Sequence, residues 1–98
     1  MAEFLGELYL PRTEAAGPAF RADQARRAAE QLSREGTPVR YVRSVFVPED
    51  ETCFYLYEAG SVEAVGEAAR RAGLSFDRIA AAMTSRLHPQ SADGGADR

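Results

Sequence analysis

A chain of 98 residues supports one small domain and not two. With 45% hydrophobic residues it can build a packed core, which excludes disorder throughout. A net charge of -3 leaves no basic excess to neutralise phosphates and argues against a nucleic-acid partner. The apolar runs fall far short of the roughly 20 residues that a membrane helix needs. No basic-then-apolar signal segment opens the chain, and the one cysteine, Cys53, cannot form an internal disulfide. The expected compartment is cytoplasmic.

The first predicted element is a strand over Glu3 to Leu10, with Phe4, Gly6, Leu8 and Leu10 on one face and Leu5, Glu7 and Tyr9 on the other. Pro11 ends it. Gly17-Pro18 opens a helix, because proline's missing N–H is no loss in a first turn. Ala22, Ala25, Ala28, Ala29 and Leu32 form its apolar stripe, so it is expected to sit close to whatever it packs on. Gly36 supplies a left-handed cap and Pro38 prevents continuation.

Two β-branched and aromatic runs follow, Val39 to Val47 and Thr52 to Ala59, separated by Pro48-Glu49-Asp50-Glu51. This is the pattern of a β-hairpin. Ser61 is a suitable N-cap for a second helix striped by Val62, Val65, Ala69 and Ala72, with Gly73 closing it. Gly66 weakens that helix, and close contact with a sheet is one reason for it. Ser75 to Met83 is the weakest element: its alanines would allow a helix, but Phe76 to Ile79 alternates as a last strand would. The domain is expected over 1–83 and a disordered tail over 84–98, rich in Ser, Pro, Asp and Gly.

Strand, helix, strand, strand, helix, strand predicts an α+β ferredoxin-like sandwich, a four-stranded antiparallel sheet with two helices on one face. Domains of this shape often close the bare face by pairing two sheets into a dimeric α+β barrel, an expectation by fold analogy.

The hairpin decides where function can lie. If its loop has an even number of residues, Val39, Tyr41, Arg43, Val45 and Val47 share a face with Phe54, Leu56 and Glu58; Arg40, Val42, Ser44 and Phe46 join Cys53, Tyr55 and Tyr57 on the other. An odd loop swaps the partnership. Alanine-rich helices leave no room to solvate an ion, so the face bearing Arg43 and Glu58 is expected to be the bare one. A cavity lined by Glu7, Tyr9, Tyr41, Arg43, Phe54, Leu56 and Glu58 follows, mostly apolar with a few convergent polar groups. The plainer account of Arg43 and Glu58 is a structural ion pair in a dimer seam, and of the tyrosines, packing. The Gly-rich phosphate loop, the Ser/His/Asp set and the Cys/His metal spacing are all missing, and the single histidine, His88, sits beside Pro89 in the tail.

Val39-Arg40-Tyr41-Val42-Arg43-Ser44, Phe46 to Phe54, Tyr57-Glu58-Ala59 and Glu67 to Leu74 together resemble a family of small, mainly bacterial proteins, the nickel-binding ferredoxin-like family. The resemblance spans roughly residues 3 to 83, the extent of one small domain. It implies a ferredoxin-like homodimer, and a metal role only for members that carry the ligands. Nickel favours imidazole nitrogen or thiolate. The folded region here has one thiol and no histidine, so no metal ligand and no cofactor is expected. The leading expectation is a homodimer whose sheet-lined cavity accepts a small organic ligand, with Arg43 pairing an anionic group. Two alternatives stand beside it: a cofactor-free dimeric-barrel enzyme of isomerase, cyclase or oxygenase type, using Glu7 or Glu58 as proton acceptor, and a nickel-binding or purely structural role.

Overall fold

The computed structural model describes residues 1–14 and 17–83; the tail expected from Thr84 onward lies outside them. The elements run β1 (Ala2–Tyr9), α1 (Gly17–Arg34), β2 (Val39–Val47), a 3-10 turn (Pro48–Asp50), β3 (Thr52–Ala59), α2 (Val62–Ala72) and β4 (Arg78–Ala82). The four strands form one sheet in the order β2-β3-β1-β4, and every neighbouring pair is antiparallel. This is the expected ferredoxin-like α+β arrangement.

Local chemistry sets the boundaries. The Ser61 hydroxyl accepts from the Ala64 N–H at 3.2 Å, satisfying one orphan donor at the start of α2. Gly73 closes that helix at φ 74°, and the Leu74 N–H reaches back to the Ala69 carbonyl at 2.9 Å. Gly36 has φ 105° just beyond α1, where the Thr37 N–H donates to the Leu32 carbonyl at 3.2 Å. Both glycines occupy the left-handed region that other residues enter only at a cost. No sheet contact accounts for Gly66, since a Cβ there would meet nothing nearer than the Arg70 guanidinium at 4.0 Å.

The core lies on one side of the sheet. Cys53, Tyr55, Tyr57 and Ala59 of β3 are each 0% exposed, beneath Ala25, Ala28, Ala29 and Leu32 of α1 and Ala64, Val65, Ala68 and Ala69 of α2. Small residues on the helices face large ones on the strand, so the layers approach closely and still fill the space between them. Gly6 has a similar task on β1. A Cβ there would fall 2.6 Å from the Phe76 ring, which crosses β1 to meet Tyr55 at 5.3 Å and Tyr57 at 6.1 Å between centroids.

The turn between β2 and β3 has the even length that puts Arg43, Val45 and Val47 on the face of Leu56, Phe54 and Thr52. A register shift between Tyr41 and Arg43 then breaks the alternation: Val42 is the extra residue of a β-bulge. Before the bulge the parity is reversed. Val39 and Tyr41 pair with Ala59 and Tyr57 on the helix side, and Arg40 pairs with Glu58 on the opposite side.

Candidate functional site

The side of the sheet away from the helices carries the candidate site, and the registers order it into rows across the strands. The first row is Arg40, Glu58, Glu3 and Ala82; the second is Arg43, Leu56, Leu5 and Ala80. The third is Val45, Phe54, Glu7 and Arg78, and the fourth is Val47, Thr52 and Tyr9. An apolar middle is thus set between two rows that carry charge. Among the described residues the face bears three arginines and three glutamates, so it is electrically balanced.

Six of the seven predicted lining residues lie on this face: Glu7, Tyr9, Arg43, Phe54, Leu56 and Glu58. Tyr41 does not, and the bulge is the reason. It turns Tyr41 toward the helices, where its ring meets Tyr57 edge-on at 5.9 Å and its hydroxyl bonds the Ser44 Oγ at 3.0 Å. The same bulge corrects the expected ion pair. Arg40, placed by strict alternation on the helix side, is the residue opposite Glu58; its Nε donates to Oε1 at 3.1 Å and its Nη2 lies 3.0 Å from the same oxygen. Arg43 sits instead at the end of the apolar second row. It makes no hydrogen bond or ion pair with any described residue, whereas Arg40 and Arg78 are both engaged.

Arg78 of β4 ends the third row. It faces Glu7, with its Nη1 3.6 Å from Oε2. Asp77 has a structural role: it accepts the Tyr9 N–H at 3.0 Å while its own N–H donates to the Glu7 carbonyl at 2.7 Å, docking β4 onto β1. Leu5, Val45 and Arg40 also lie on this face and are not among the predicted lining residues. One signal for Arg40 was available. Arg40 and Arg43 are three apart, so in an unbroken strand one of them would be buried under alanine-rich helices with no counter-charge, and that conflict of parity is itself evidence for a bulge.

The helix side holds the other reactive side chains, and its chemistry is muted. Burial pushes the Cys53 thiol up from its ordinary range, which leaves it a poor nucleophile and a poor metal ligand. Burial likewise pushes the Tyr55 and Tyr57 phenols well above their usual values. Neither phenol finds a hydrogen-bond partner among the described residues.

Comparison with known proteins gives a family and a fold. A family model described as "Nickel responsive protein SCO4226-like" matches residues 12–81. Among solved structures the chain is similar to that of SCO4226 from Streptomyces coelicolor A3(2), at 24% identity and a TM-score of 0.62, covering 87% of this chain and 100% of that one. No curated protein sequence matches. The family description brings nickel into question, and the donor set answers it for the described residues. They contain no group of three or more His, Cys, Asp or Glu able to hold a metal ion, their one thiol is fully buried, and His88 lies outside them. The residues described do not fit a nickel centre.

Proposed function

The chain belongs to the SCO4226-like family of nickel-responsive proteins, and within that family we propose that it is a homodimer, closed on its open sheet face, that holds a small anionic organic ligand against Arg43. The observation that carries this reading is the isolation of Arg43. Every other described arginine on the face has a carboxylate partner, while this one ends a row of Leu56, Leu5 and Ala80 with its planar fork uncommitted. A guanidinium beside apolar side chains suits a carboxylate on an organic body: the fork binds two oxygens and the row receives the rest.

A second copy supplies the enclosure that one sheet lacks. Val45 is 52% and Tyr9 58% exposed in the single chain. Two such faces packed about a two-fold axis would bury those side chains, and balanced charge lets the same patch face itself. Expelling water from the seam would strengthen the pairing between Arg43 and an anion. An enzymatic reading draws no support here, because Glu7 and Glu58 are each engaged by an arginine of their own chain.

Thermal unfolding in rising succinate tests the reading. Stabilisation should grow with ligand concentration in the wild type. It should largely vanish in Arg43→Ala, with the dimer intact; equal stabilisation of the two proteins would contradict the proposal. The family description favours one other reading, a response to nickel. Calorimetric titration of tag-free protein with nickel separates the two: this account expects no stoichiometric heat, and a saturable isotherm would favour the metal.

A further inference from the structure

A second concavity lies at the β2 edge of the sheet, with Arg40 shared between it and the open face. α1 and the edge strand β2 enclose a groove of about 720 Å³. That is within the range of roughly 300–1,000 Å³ typical of small-molecule clefts. Its apolar lining is Met1, Pro38 and Tyr41, over the nearly buried Ala29 and Val39, and its rim carries Arg26, Arg34 and Arg40 with Glu30. The walls are tied together: the Ser33 hydroxyl accepts the Val39 N–H at 3.2 Å and donates to the Val39 carbonyl, joining the end of α1 to the start of β2.

The three arginines are not equivalent. Arg26 is held by Asp23 and by Glu30 at 3.5 Å, and Arg40 by Glu58 at 3.0 Å. Arg34 has no ionic partner among the described residues. Its place in the last turn of α1 suits the helix dipole, but the dipole leaves its N–H donors unused. From this one uncommitted guanidinium at the rim of a largely apolar groove we infer that the groove binds a small amphipathic carboxylate, with the anionic head on Arg34 and the aromatic or aliphatic body against Met1, Pro38 and Tyr41. The inference stands independently of the open-face reading.

Amide shift mapping by NMR with 2-naphthoate and decanoate as probes tests it. Saturable shifts are expected at Gly36, Val39 and Tyr41. Arg34→Ala should weaken naphthoate about tenfold or more, 2-naphthamide should bind correspondingly worse than the acid, and Arg70→Ala on α2 should change nothing. Silence with both carboxylates would overturn the inference, as would equal binding of acid and amide or equal binding by Arg34→Ala. Shifts confined to Leu5, Phe54 and Leu56 would also overturn it, by assigning the carboxylate to the open face.

Discussion

The two sides of β3 take alternate residues of one eight-residue strand and behave as different materials. Cys53, Tyr55, Tyr57 and Ala59 are wholly excluded from water, while Phe54, Leu56 and Glu58 between them stay half-buried. The helix side has its packing partners within the chain. The open side has a comparable apolar middle and no covering layer among the described residues. A strand whose outer face were meant only for water would alternate with polar residues, and this one places Phe54 and Leu56 there. On the proposed reading, this apolar outer face is what a second copy and a ligand would cover.

Substitutions on the covered side should break the fold, and the largest loss is expected from Tyr57→Ala. Removing a fully buried aromatic ring should cost about 4 kcal/mol in denaturant unfolding. Gly6→Val comes next, at about 2 kcal/mol, because the added Cβ would press on the Phe76 ring. A loss as small for Tyr57→Ala as for a typical surface change would mean that the covered side is not the tighter one.

A smaller effect sharpens the comparison through pH. The Tyr55 and Tyr57 phenols titrate higher in the folded chain than their ordinary value of 10.0, because burial disfavours the phenolate. The folded state therefore holds these protons more tightly than the unfolded chain does. The associated stability is fully present below pH 10 and is lost as pH climbs beyond it. The double variant Tyr55→Phe, Tyr57→Phe should flatten that alkaline loss. At neutral pH it should be neutral or stabilising by up to about 1 kcal/mol, since neither hydroxyl has a hydrogen-bond partner among the described residues. An unchanged alkaline slope would show that these phenols are not the titrating groups.

Much of the fold was legible because its signals are local. Pro18, Gly36, Ser61 and Gly73 mark helix ends by their own backbone and side-chain chemistry, and the even turn after Val47 aligned the hairpin near its tip. The bulge at Val42 was not legible from alternation, which carries one parity along a whole strand; everything before it, Tyr41 and Arg40 included, was therefore assigned to the wrong side. β4 was weak for a different reason. Ile79-Ala80-Ala81-Ala82 offers little contrast between its faces, so the partnership of Arg78 with Glu7 emerged only from the paired strands. For β1 and β3, whose alternation is uninterrupted, the sequence pattern assigned residues to the sheet face on which the paired strands place them.

Sedimentation equilibrium across a wide concentration range, on the wild type and on Val45→Asp, addresses the open face most directly. A charge at Val45 leaves the covered core untouched and would desolvate badly in a closed seam. The wild type should sediment at twice the 10.7 kDa chain mass and the variant at the mass of one folded chain. A wild type that remains a single chain at every concentration, or a variant that pairs as tightly as the wild type, would contradict closure of this face by a second copy.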